Sequence, residues 1–240
     1  MKAMILAAGV GRRLMPLTDA APKALLDVGG VPMIEKVIRR LTAAGVTELV
    51  VNLFHLGDRI VEFLASKGNF GLRIEFTREV ELLDTGGGLK NAAWFFDDGR
   101  PFFLHNVDVL SDIDLGGLLQ LQRQAGALAT LAVQRRQGSR QLLFDRHGRL
   151  CGRESPEGVE WVAGPRDDFE RLAFTGIHVI DPSIFPKMTE TGVFPITKTY
   201  LRLAGEGERI VAYRADGSYW QDIGSPEKLE AARARPEGRT

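Results

Sequence analysis

The chain has 240 residues with 31 Lys plus Arg against 31 Asp plus Glu, a formal net charge of zero. That length can bury a sizeable core in a single domain, and the balanced charge removes any global attraction to nucleic acid or an anionic membrane. Cys151 has no second cysteine to pair with, no apolar run reaches the roughly 18 residues of a membrane-spanning helix, and Met1 to Leu6 is too short an apolar run for a secretory signal, so a cytoplasmic protein is expected.

In chain order, Lys2 to Ala7 is an apolar run broken by Gly9 and Gly11, the pattern of a buried strand opening into a loop. Pro32 suits a first helical position, with Met33, Ile34, Val37, Ile38 and Leu41 on one face of a helix that stops at Gly45. Glu48 to Leu53 reads as a second buried strand, followed by a helix near Asp58 to Ser66 and a strand near Leu72 to Thr77. A glycine-rich turn spans Asp84 to Gly88, a helix Leu89 to Phe95, a strand Pro101 to Leu104 ending in His105-Asn106-Val107-Asp108, and a further helix Leu115 to Gln124. This alternation predicts an α/β fold with a doubly wound, mostly parallel central sheet. Past Ala127 the segments Leu128 to Val133, Gln141 to Phe144, Val159 to Val162 and Leu172 to Ile180 predict a small antiparallel sheet. A single domain over 1–232 with a flexible tail over 233–240 is expected, and no hexapeptide repeat announces an appended β-helix.

The first loop carries Gly9, Gly11, Arg12, Arg13 and, further on, Lys23. Glycines let backbone N–H groups approach phosphate oxygens, and three cations neutralise a polyanion that a neutral surface would not attract. Leu14 stands where a dinucleotide fingerprint needs its third glycine, and Lys23 lies between Pro22 and Ala24, which excludes a P-loop. Taken alone, the segment equally fits a turn with solvated arginines. Asp108 lies just past a strand end on the edge of that loop, and Asp222 precedes Ser225-Pro226, an N-cap and first turn for a last helix. Each aspartate taken alone reads as a turn or capping residue.

The stretch Leu6-Ala7-Ala8-Gly9-Val10-Gly11-Arg12-Arg13-Leu14-Met15-Pro16-Leu17-Thr18, continued by Pro22-Lys23-Ala24-Leu25-Leu26 and Gly30-Val31-Pro32-Met33, closely resembles the signature of sugar-phosphate nucleotidyltransferases. Trp220-Gln221-Asp222-Ile223-Gly224-Ser225-Pro226 resembles a second segment of that family. The resemblance implies a Rossmann-like fold with a nucleotide-binding half over 1–126 and a sugar-binding half over 127–232. It implies that Arg13 contacts the β and γ phosphates, that Lys23 reaches the transferring phosphate, and that Asp108 and Asp222 jointly bind Mg2+. Ala7, Ala8, Gly9, Gly11, Arg12, Arg13, Thr85, Gly86, Gly87 and Asn106 would seat the nucleotide, and Thr175 and Gly176 the sugar. Relatives carry a Glu-Lys-Pro segment where this chain has Arg153-Glu154-Ser155-Pro156, so Arg140 or Arg153 is the substitute for that lysine. The chain also has Val107 where the family usually has glycine.

Leu83-Asp84-Thr85-Gly86-Gly87-Gly88 is closest to short N-acetylmuramate 1-phosphate uridylyltransferases, which implies transfer from UTP to a sugar 1-phosphate, with release of pyrophosphate, in nucleotide-sugar supply to the cell envelope. Guanylyl, thymidylyl or cytidylyl transfer to mannose or glucose 1-phosphate is the alternative within the family. A non-catalytic nucleotide-sugar sensor or regulatory subunit is the alternative from another class. No nucleic acid or membrane partner is expected, and the protein would be a monomer or homodimer.

Overall fold

The computed structural model describes residues 1–164 and 167–235; of the expected flexible tail, residues 236–240 lie outside the described residues. The fold is mixed α/β, with a mostly parallel sheet and small antiparallel sheets. Its contacts divide the chain into two compact units: Met1–Leu82, His105–Ile113 and the chain from Ser218 onward form one, and Leu83–Leu104 with Asp114–Gly217 form the other. Compared with a cut between residues 126 and 127, the segments 83–104 and 114–126 fall in the second unit and the chain from Ser218 onward falls in the first.

In the first unit the strands Lys2–Leu6, Glu48–Leu53 and Arg73–Arg78 run parallel, with Met4 opposite Val50 and Val50 opposite Glu75. Their connections are the helices Met33–Ala43 and Gly57–Ser66. The first helix buries Met33, Ile34, Val37, Ile38 and Leu41, the face its spacing predicts. It ends before Gly45, whose φ of 87° suits glycine alone among the common residues.

A two-stranded antiparallel ribbon, Val109–Ser111 against Trp220–Asp222, completes this unit. The last helix, Pro226–Arg233, begins as its sequence predicts: the Ser225 hydroxyl accepts from the Lys228 N–H at 3.5 Å, with Pro226 at the first position. Its Leu229 and Ala232 share a core cluster with Leu14, Leu26, Val28, Met33 and Ile223. That cluster ties the first loop and the ribbon to one apolar anchor.

In the second unit the long strand Phe169–Ile180 pairs antiparallel with Ala129–Gln134 along one stretch and with Gln141–Asp145 along another. Leu150–Ser155 and Gly158–Trp161 extend the antiparallel part. Leu150–Ser155, the strand Ile210–Arg214 and the helix Ile196–Gly205 are additions to the sequence reading. The segment expected as a glycine-rich turn is instead the first part of a helix, Asp84–Asn91. The reason is packing: the N–H groups of Gly86 and Gly87 donate to the Phe194 carbonyl at 2.9 and 3.2 Å. A Cβ on Gly87 would lie 2.6 Å from the Gly192 carbonyl oxygen, and one on Gly86 would run into the Phe194 ring.

Candidate active site

The first strand ends at Leu6, whose carbonyl accepts from the Val107 N–H at 3.1 Å, and the next N–H, of Ala7, donates to Asn52 Oδ1 at 2.7 Å. From there the chain leaves the sheet. Ala7 and Ala8 are buried, Gly9 is exposed, and a Cβ built on Gly9 would meet nothing within 4 Å, so open space lies over the loop there. Gly11 has a φ of 69° and precedes the short turn Arg12–Leu14; a Cβ on it would sit 2.8 Å from Thr18 Cγ2. The Thr18 hydroxyl donates to the Gly11 carbonyl at 3.0 Å and closes the loop on itself. Leu14 is buried while Arg12 and Arg13 are exposed, so the apolar anchor turns both guanidinium groups outward.

The ribbon brings the backbones of the two aspartates next to one another. Asp222 stands opposite Val109, and the Ile223 N–H donates to the Asp108 carbonyl at 2.8 Å. Asp108 is ion-paired with Lys23, whose side chain is 10% exposed, and Asp222 with the more open Lys228. A Cβ on Gly224 would lie 2.6 Å from Asp222 Oδ1 and 2.9 Å from Arg13 Nη2, so the Arg13 guanidinium and the Asp222 carboxylate flank the same glycine. Arg13, Lys23, Asp108 and Asp222 therefore gather in the first unit. The donors suit a hard divalent cation: Mg2+ takes one or two protein carboxylates and fills its other positions from phosphate and water. Among the described residues no group of three or more His, Cys, Asp and Glu could enclose a metal by itself.

His105, beside Asn106 on the strand Phe102–Asn106, is fully buried. Burial pushes its pKa down to about 3, with the nearby Arg40 adding to the shift and the bond to the Asn106 carbonyl opposing it. It is neutral at ordinary pH and no candidate for proton transfer there. Val107 is 4% exposed and is not among the residues of positive φ, so its β-branched side chain is accommodated in the core without backbone strain.

The second unit holds the remaining predicted residues. The Thr85 hydroxyl accepts from the Ile196 N–H at 2.9 Å and so caps the helix Ile196–Gly205, while Gly86 and Gly87 pack against the segment Gly192 to Phe194. The Thr175 hydroxyl donates to the Ala132 carbonyl at 2.7 Å, and Gly176 has a φ of 78° where the register of the strand shifts between Phe174 and His178. Arg140 is exposed, and Arg153 pairs with Glu160 at 2.6 Å. Asn52, Thr18 and Gly224 escaped the sequence reading. For Asn52 a signal existed: a polar residue inside the otherwise apolar run Leu49-Val50-Val51-Asn52-Leu53.

A family model described as nucleotidyl transferase matches residues 2–237. An N-acetylmuramate alpha-1-phosphate uridylyltransferase of Caulobacter vibrioides is 31% identical over 236 residues, which cover 97% of this chain and 96% of that protein. A mannose-1-phosphate guanyltransferase of Gibberella zeae is 32% identical over 233 residues, covering 95% of this chain. The chain spans only 62% of the length of that guanyltransferase. In fold, the chain is similar to a UDP-glucose pyrophosphorylase solved with UDP-glucose, with a TM-score of 0.76 at 20% identity over 97% of this chain and 96% of the other.

Proposed function

Because the chain belongs to the nucleotidyl transferase family, we propose that it transfers a nucleotidyl group from UTP to a sugar 1-phosphate and releases pyrophosphate. One observation carries this reading: the ribbon that sets Asp222 opposite Val109 and ties Ile223 to the Asp108 carbonyl, with Arg13 and Lys23 alongside. Transfer at phosphorus asks little covalent work of a protein, since alignment and charge neutralisation supply most of the acceleration.

In the proposed reaction an oxygen of the sugar phosphate bonds to the α-phosphorus as the bond to the β-bridging oxygen breaks. That acceptor is already ionised at neutral pH, so no general base is required, which agrees with a His105 held neutral and buried. Arg13 neutralises the leaving pyrophosphate and Lys23 the transferring phosphate, and the loop from Ala7 to Gly11, open at Gly9, receives the triphosphate with Asn106. Asp108 and Asp222 are the residues that would hold Mg2+, which when bound supplies positive charge to the phosphate oxygens. Thr85 to Gly87 are assigned to the nucleobase, and Thr175, Gly176, Arg140 and Arg153 to the sugar side.

UTP is favoured because the uridylyltransferase relative is covered over 96% of its length, whereas the guanyltransferase is covered over 62%. A cytoplasmic supply of activated sugar for the cell envelope follows from the same reading. Pyrophosphate release with each triphosphate against N-acetylmuramate, mannose and glucose 1-phosphates identifies the pair. Replacing Asp108 by Asn should lower turnover by about two to three orders of magnitude with an unchanged circular dichroism spectrum. Undiminished pyrophosphate release from that variant would dispose of the assignment.

A further inference from the structure

The first loop can present backbone N–H groups to phosphates only if the chain leaves the sheet at a fixed point, and that point has an identifiable cause. Leu6 and Asn52 lie opposite one another in the parallel pair Lys2–Leu6 and Glu48–Leu53. Were the pairing to continue, the N–H of Ala7 would meet a backbone carbonyl of the neighbouring strand. The Asn52 side chain takes that place instead, accepting the Ala7 N–H at 2.7 Å. From the other side the Val107 N–H, one residue before Asp108, holds the Leu6 carbonyl at 3.1 Å.

An amide has a donor end and an acceptor end, and something must choose between them. Asn52 Nδ2 donates to Glu79 Oε1 at 2.7 Å, and Glu79 is itself placed just past the strand Arg73–Arg78 by its N–H bond to the Leu53 carbonyl at 2.8 Å. A carboxylate offers acceptors only, so it takes the NH2 end and turns the carbonyl of Asn52 toward Ala7. Asn52 is 3% exposed and Glu79 8%, which leaves little water to compete for either bond.

We propose that Glu79 and Asn52 form a buried relay that ends strand pairing at Ala7 and sets the direction of the phosphate-binding loop, both acting as positioning residues rather than substrate contacts. The inference rests on the nucleotidyl-transfer reading, since it gives that loop its ligand. The relay has a polarity, from carboxylate to amide to backbone N–H, and the polarity can be reversed. Asn52→Asp alone sets two carboxylates together and removes the amide donor, whereas Asn52→Asp with Glu79→Gln restores a donor facing a carboxylate that still accepts from Ala7.

Binding of inorganic tripolyphosphate by calorimetry, which engages the loop whatever the base, and KM for each substrate are the readouts. Asn52→Asp should weaken tripolyphosphate binding and raise KM for the triphosphate by about tenfold, leaving KM for the sugar phosphate nearly unchanged. Its deficit should shrink as pH falls, because a proton shared by the carboxylates supplies the missing donor, and the double variant should return to within about threefold of the wild type at every pH. A double variant no better than the single one, or equal losses in both KM values, would overturn the relay. If Asn52→Asp does not fold, the double variant decides alone: a folded protein with near-normal tripolyphosphate binding supports the relay, and any other result rejects it. Should the wild type bind neither tripolyphosphate nor any nucleoside triphosphate, the functional reading fails first and takes this inference with it. A wild type that turns over and loses activity on Asp108→Asn, with indifferent relay variants, would reject the relay alone.

Discussion

Gly224 is a residue whose importance lies in what it lacks. A methyl group there would press on Asp222 Oδ1 at 2.6 Å and Arg13 Nη2 at 2.9 Å, so Gly224→Ala should displace one or both. Both atoms end flexible side chains and can shift at little cost in stability, so turnover should fall by roughly tenfold or more while a thermal melt shows only a modest loss. His105 makes a different prediction. Its folded pKa is lowered from 6.5 to about 3, so the unfolded chain takes up a proton that the folded one refuses. Its contribution is present above pH 6.5 and is lost as pH falls toward 3, and urea melts of His105→Asn should lose less stability between pH 7 and pH 5 than the wild type. Arg13, Lys23, Asp108 and Asp222 were singled out in the sequence by the family resemblance, since taken alone the first loop fits a turn with solvated arginines and each aspartate a turn or cap. Glu79 and Gly224 were not, since an acid after a strand and a glycine before a helix are individually ordinary, and Asn52 offered only its polarity within an apolar run.

At the scale of elements, long periodic segments were readable and short ones were not. The helix Met33–Ala43 and the strand Glu48–Leu53 follow from apolar spacing alone. The ribbon Val109–Ser111 with Trp220–Asp222 has three residues a side, too few to show a period of two, yet it is what makes neighbours of the two aspartates. The glycine-rich segment misled because glycines usually signal a turn, whereas Gly86 and Gly87 are small to admit Phe194 and Gly192 against a helix. The ribbon has a brace: Arg40, on the helix Met33–Ala43, donates to Ser111 Oγ and to the Ile113 carbonyl. Burial pulls the Arg40 pKa down and Asp112 opposes that shift, the mark of a guanidinium held for its bonds. Arg40→Leu should cost about 2 kcal/mol in urea unfolding and weaken Mn2+ binding measured by electron paramagnetic resonance, with Arg40→Lys recovering part of both. Unaltered Mn2+ affinity in a destabilised Arg40→Leu would separate the brace from the carboxylates.

For the whole molecule, the alternation of strands and helices made the α/β class legible, but a linear reading divides a chain only by order. The structure groups Met1–Leu82 with His105–Ile113 and the chain from Ser218 onward, a partition invisible to composition because no linker-like stretch marks its borders. Its cause is the shared apolar cluster, in which Leu14 near the start meets Ile223 and Leu229. The ribbon also has a bearing on biosynthesis. A ribosome making this chain delivers Arg13, Lys23 and Asp108 early, but the partner strand that carries Asp222 leaves the exit tunnel only after the intervening unit has been made. An arrested or clipped product lacking residues beyond 218 would keep the Arg40 bonds to Ser111 and Ile113 but lose the strand that carries Asp222, so under the proposed function it should release no pyrophosphate.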